Sequence, residues 1–297
     1  MQTRATQFFD EASASSGGFR DELERKTFNF GHRLSAHPLL GMDALAGLVD
    51  YFEANGLACH FEIGAAQTAD GWAALPERMT VGEALRRLPD GDVLIVLKAS
   101  HRHPDYARLL QAFFAELAEV LGIDLASRYR TPICTVLLAS PGRITPYHMD
   151  DSHNLLMQVH GRKTFYVFDG SDPAIVPAAE REAFWSGDYN AAHHDAAKQA
   201  KAIQVDLGPG KGVHVPMLYP HWAQNGPEIS VAVSVNFAPL DNPEADLFAL
   251  NARLKRLGLH PSPPGRSRLV DASKLAAFRT LGSLRRMMPR GAAAGRL

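Results

Sequence analysis

The stretch SPGRITPYHMDDSHNLLMQVHGRKTFYVFD, residues 140–169, holds the turn and alternation signals that decide the fold. Pro141-Gly142 is a turn pair. Asn154 to Val159 alternates as a strand, Gly161 turns the chain, and KTFYVFD from Lys163 is a second strand, so a β-hairpin is expected. In that second strand Lys163, Phe165 and Val167 face one way. Between the turn and the strands lies TPYHMDDSHN, residues 145–154, with two histidines, two aspartates and a threonine. Those residues suit either a polar loop rich in turn formers or half of a metal site.

On both sides the pattern stays β. ICTVLLAS, residues 133–140, is a strand, and a polar insert runs from Gly170 to Lys201. AIQVDLGPGKGVHVP, residues 202–216, reads as two strands across a Gly-Pro-Gly turn, and ISVAVSVNF, residues 229–237, closes the series. Short strands with Gly/Pro turns over residues 130–240 predict an antiparallel barrel or double-sheet jelly roll.

The flanks are helical, so the fold class is mainly β with helical extensions (α+β). Residues 1–30 are polar, with ASASSGG as a flexible joint, and read as mobile. Leu45, Leu48 and Phe52 share one helical face before Gly56. Thr80 and Glu83 form a capping box for a short helix, DVLIVLK (92–98) is a buried strand, and Leu109, Phe113, Leu117 and Leu121 make an apolar stripe from Pro104 onward. Residues 1–129 are therefore expected to be a helical and mixed extension packed on the core. Residues 241–297 form a helical segment and a candidate dimerisation element. From Arg266 to Leu297 there are eight Lys/Arg and one acidic residue, read as a solvated helix face.

Composition excludes several classes. The formal net charge of −1 over 297 residues gives no footprint for nucleic acid. The two cysteines, Cys59 and Cys134, can build neither a disulfide framework nor a Cys-rich zinc site. Neither a signal peptide nor an apolar run long enough to span a membrane is present, which suits a cytoplasmic protein.

A metal site needs ligands that converge. His148 and Asp150, at i and i+2 of extended chain, point to one face. A later strand supplies two candidates, His214 and His221. His214 sits mid-strand and reads as a packed core histidine, whereas His221 follows Pro216 and Pro220 in a turn that delivers it to a barrel mouth. Two histidines and one carboxylate leave coordination positions open, as non-haem Fe(II) oxygenases require. His193-His194-Asp195 lies in the polar insert and reads as a solvated loop or helix start, and Trp222 reads as packing.

These segments, with GPGKGVHVPMLYPHWAQNG and SVAVSVNF, resemble the JmjC/cupin-like 2-oxoglutarate-dependent oxygenases over residues 130–240. That family includes the asparaginyl hydroxylase acting on hypoxia-inducible factor. FGHRLSAHPLL and LNARLKRLGLHPSPPG also resemble a bacterial cupin-like subfamily. The resemblance implies a double-stranded β-helix (jelly-roll, cupin) core that binds Fe(II), 2-oxoglutarate and O₂. It implies that Thr145, three residues before His148, and Lys163, fifteen after it, hold the distal carboxylate of 2-oxoglutarate. Asn154, four after Asp150, and Asn236, fifteen after His221, are placed near the cosubstrate. No Lys or Arg occurs between Trp222 and Arg253, so the arginine that many related oxygenases use is absent, and Asp151 stands where the bacterial subfamily has proline.

The activity implied is hydroxylation of an unactivated C–H bond, on a peptide, protein, amino-acid-like or other small-molecule substrate. N-demethylation by the same chemistry is a second reading. A non-catalytic cupin-like module is a third, and it would lack a metal ligand or Lys163. A cupin isomerase or lyase would carry His-x-His where His148-x-Asp150 stands.

Overall fold

The structure, a computed structural model, describes residues 7–72 and 79–287. The far end of the basic tail, 288–297, lies outside the described residues. The chain divides into two compact units, Met1–Pro177 with Ala192–Leu240, and Ala178–Ala191 with Asp241–Leu297.

The strands are β1 (Phe28–Gly31), β2 (His60–Ile63), β3 (Val93–Leu97), β4 (Ile133–Ala139), β5 (Ile144–His148), β6 (His153–His160), β7 (Lys163–Val167), β8 (Ile203–Leu207), β9 (Lys211–Val215), β10 (His221–Asn225) and β11 (Ser230–Phe237). The α-helices are α1 (Glu11–Ser15), α2 (Met42–Ala54), α3 (Val81–Arg87), α4 (Pro104–Leu121), α5 (Ala178–Trp185), α6 (Ala196–Gln199), α7 (Pro243–Arg256) and α8 (Arg268–Met287).

One sheet has the order β1-β9-β6-β11-β4-β3-β2 and the other β5-β10-β7-β8. Strands β4 to β11 thus make a four-plus-four jelly roll, the double-stranded β-helix, and β1, β2 and β3 widen one sheet at its two edges. The expected hairpin is corrected here. β6 and β7 lie in different sheets, and so do β8 and β9. Gly161 and the Gly-Pro-Gly turn are corners between sheets rather than hairpin turns. Alternation along a strand is the same in both arrangements, so the pattern alone does not separate them. Gly161 has φ +67°, and a Cβ there would run into the Ile229 carbonyl oxygen, so the corner requires glycine.

The alternation of β11 sorts two cores. Val231, Val233, Val235 and Phe237 face the helical layer, where they pack with Leu45, Phe52, Phe113 and Leu117. Ala232 faces the other sheet and meets Phe165, Val167, Val205, Val215 and Ala223. Full burial of each of these valine, leucine and phenylalanine side chains contributes roughly 1.5–3 kcal/mol.

α4 starts on Pro104, with the His103 ring accepting the Asp105 N–H, and ends on Gly122 at φ +68°. The Thr80–Glu83 capping box is present in both directions. The expected mobility of residues 1–30 does not hold for those described. Phe8, Phe9 and Phe19 are fully buried, and Glu116 accepts the backbone N–H groups of Gln7, Phe8 and Phe9. In the second unit, Arg181 pairs with Glu244 at 2.7 Å, and Lys274 reaches Asn251 and Ser262.

Candidate metal centre in the jelly roll

His148 ends β5 and His221 begins β10, and the two are register partners. A register shift between His221 and Ala223 marks a bulge beside them. Such irregularities re-aim a side chain at a sheet's end. Asp150 lies just past β5, where its carbonyl accepts the Leu218 N–H at 3.0 Å. Leu218 is buried and left-handed, with φ 62°, a conformation that costs a non-glycine residue about 1 kcal/mol or more. The Pro216–Pro220 turn therefore grips the Asp150 backbone while it delivers His221.

One ligand atom from each of His148, Asp150 and His221 lies within 4.8 Å of the others. Among the described residues, no other group of three or more His, Cys, Asp or Glu converges in this way. His221 Nε2 stands 3.8 Å from Asp150 Oδ2. The Nδ1–H of His148 donates to Pro146 O at 2.8 Å, and that of His221 to Tyr219 O at 3.0 Å. Each bond fixes the tautomer and leaves an Nε2 lone pair for a metal. Burial, and then the neighbouring His148, push the His221 imidazole down to about 4, so at neutral pH it is an uncharged ligand. The donor set of two imidazoles and one carboxylate fits a divalent first-row metal with open positions.

The barrel interior also holds a buried amine. Lys163 faces inward with Phe165 and Val167 and is buried, and burial lowers its amine to about 8. No hydrogen bond or ion pair reaches it among the described residues. Across β7 and β10, Lys163 pairs with Asn225 while Val167 pairs with His221. Lys163 thus lies four residues, roughly 13 Å, along the strand from the level of His221. Thr145, on the neighbouring β5, is half-buried.

Asn154 and Asn236 are cross-strand partners on β6 and β11. Ser234 Oγ stands 2.8 Å from both amide oxygens, and its single proton serves one at a time. Asn236 Nδ2 donates to Ser152 Oγ at 3.4 Å.

The remaining readings sort plainly. His214 is fully buried on β9, stacked on Phe28 at 4.8 Å, away from the triad. Trp222 stacks on Tyr166 at 4.2 Å and donates to Gln199. Asp195 caps the start of α6 and His193 is exposed, in line with a solvated helix start, while His194 is half-buried against Tyr147, Phe168 and Trp222 and contacts Gln199 Oε1. Sequence reasoning missed Leu218, Ser234 and Trp72. Trp72 is the one large aromatic in the polar run GAAQTADGW, and its ring lies 4.7 Å from that of His148.

A family model described as a cupin-like domain matches residues 64–242. No curated protein sequence matches the chain. Among solved structures, the chain is similar to that of E. coli ycfD, with TM-score 0.54 and 14% identity, covering 96% of this chain and 70% of that one. A structure titled as YcfD, a ribosomal oxygenase from Escherichia coli in complex with cobalt and 2-oxoglutarate, gives TM-score 0.47 and 16% identity, covering 92% and 66%. The first likeness is one of fold. Among the described residues no helix is long and apolar enough to cross a membrane.

Proposed function

The chain belongs to the cupin-like domain family, and from that premise we propose that it is an Fe(II)- and 2-oxoglutarate-dependent oxygenase. The observation that carries this reading is Lys163, a buried amine without a described partner on the inward face of the strand beside His221. A buried charge is costly unless paired, so a barrel that keeps one is built for an anion.

His148 Nε2, His221 Nε2 and an Asp150 carboxylate oxygen would hold the iron. Bound iron, with 2-oxoglutarate and O₂, supplies the oxidising power to hydroxylate an unactivated C–H bond. Lys163 and Thr145 would take the distal carboxylate of 2-oxoglutarate, and Asn154 and Asn236 would line the cosubstrate's other end. The inward apolar side chains Phe165, Val167 and Ala223 exclude water from that space. Asp150, about one-third exposed, marks the open side of the centre and the approach for substrate. The substrate class proposed is a peptide, protein or amino-acid-like side chain, in keeping with the near-neutral chain. The exposed Leu257, Leu259, Leu269 and Val270 make the second unit the candidate dimer element, and a strictly monomeric mass by light scattering would remove that assignment.

The activity is tested by succinate release from 2-oxoglutarate with Fe(II) in air. Release that is lost in Lys163→Met and His221→Ala supports the reading. No release from the intact protein under any candidate substrate contradicts it.

A further inference from the structure

The loop of residues 64–72, between β2 and the first helix that follows it, touches the metal centre from outside the jelly roll. It is pinned where it starts. Gly64 N–H donates to Asp92 O at 3.0 Å, and the Arg143 guanidinium donates to Gly64 O. The same guanidinium pairs with Glu62 at 2.7 Å, with both side chains 2% exposed. Glu62 also meets His60 Nε2 at 3.2 Å. Farther on, Gln67 and Asp70 close a turn through two hydrogen bonds of 2.7 and 3.1 Å. Thr68 O then accepts the Tyr147 N–H at 2.9 Å. β5 is the outermost strand of its sheet, so the loop lies along that free edge beside the metal-ligand end.

This path sets Trp72 edge to face against two rings, His148 at 4.7 Å and 71°, and His60 at 5.5 Å and 85°. His148 also meets His221, with ring centroids 4.3 Å apart. The hydrogen bond to Pro146 O fixes which nitrogen of His148 faces the metal, but a single bond leaves the imidazole free to swing about it. The Trp72 ring packed against it restricts that swing.

We infer that Trp72 is a positioning residue of the metal centre. It holds the His148 imidazole in its ligating plane and is itself anchored through the buried Glu62–Arg143 pair. Freedom removed before binding does not have to be removed by the metal, so the packing raises metal affinity. The inference rests on the metal-centre reading given above.

The test is an equilibrium titration of the full chain with Co(II), followed by visible absorption and bound metal, for the native protein, Trp72→Phe and Trp72→Leu. Both variants keep an apolar side chain at a half-buried site, so both are expected to fold. Phe keeps an aromatic face and should hold affinity within about twofold, whereas Leu should lose about fivefold. The Leu variant should also show broadened or shifted cobalt bands, which a general loss of stability would not produce. Equal affinity and identical bands in all three proteins overturn the role of Trp72. Absence of cobalt binding in the native protein overturns the metal centre itself.

Discussion

His148 and His221 stand opposite each other on adjacent antiparallel strands, with ring centroids 4.3 Å apart and planes at 58°. Each donates an Nδ1–H bond to the carbonyl two residues upstream, at 2.8 and 3.0 Å, which fixes its tautomer. Their own strands therefore set which nitrogen each ring leaves free, and the Leu218–Asp150 backbone bond holds the third candidate ligand beside them. A centre assembled from backbone in this way needs little rearrangement to accept a metal.

Removing one ligand should separate metal binding from folding. Co(II) at a hundred times its dissociation constant should stabilise the native protein by about 2.7 kcal/mol. His221→Ala should show no cobalt-dependent rise in melting temperature while melting no lower than the metal-free native protein by more than a few degrees. Thermal melts with and without cobalt check both statements.

Lys163 should make cosubstrate binding pH-dependent. Its amine, lowered to about 8 by burial, is charged below that pH and neutral above it. A bound carboxylate favours the charged form, so binding takes up a proton above pH 8. Affinity for 2-oxoglutarate should then fall by up to about tenfold per pH unit above 8. Lys163→Met should bind weakly at every pH, and the slope should vanish, while Co(II) affinity stays within about twofold. Calorimetric titration across pH 7–10 reads this out.

The same group should cost stability in the ligand-free protein. The unfolded amine titrates near 10.5, so between about 8 and 10.5 the unfolded chain holds more protons and stability rises with pH. Below 8 the cost is complete, up to about 3 kcal/mol. Lys163→Met should therefore be more stable than the native chain at pH 7 in urea denaturation. An unchanged midpoint would mean that the amine is solvated.

Acid should unfold the protein through buried histidines outside the triad. Burial lowers His32 and His153 to about 4 and His214 to about 3. Met217 N–H donates to His153 Nδ1, and His214 stacks between Phe28 and His153. The unfolded rings take up protons near pH 6.5, so stability is lost as pH falls from 6.5 toward 4, by up to about 1.4 kcal/mol per unit per ring. His214→Phe should shallow the slope between pH 6.5 and 4, and an unaltered slope would assign the acid sensitivity elsewhere.

Much of this molecule is legible in its residues, for physical reasons that differ from place to place. His148 and Asp150 can be read because a two-residue step in extended chain forces both to one face, and His221 because two prolines bracket its turn. The capping box at Thr80 and the stripe of α4 are local and periodic, and they appear as expected. The partition of strands between sheets is not local. The β6–β7 corner and a hairpin share the same alternation, and only the long-range pairing of β7 with β8 and β10 tells them apart. Phe8, Phe9 and Phe19 are hidden in a polar segment, and they pack on Phe30 at its end and on Phe113, which lies far along the chain. Trp72 carries no periodic signal, because a loop crossing a sheet edge brings it to His148.

The central claim is that His148, Asp150 and His221 hold iron while Lys163 anchors 2-oxoglutarate in the same barrel. The most direct measurement is an anaerobic titration of the Fe(II)-loaded protein with 2-oxoglutarate, watched in the visible spectrum. The account predicts the weak metal-to-ligand charge-transfer band of the chelate, saturable in the native protein and shifted to much higher 2-oxoglutarate concentration in Lys163→Met. Iron binding without any such band, or a band equally easy to saturate in Lys163→Met, would contradict it.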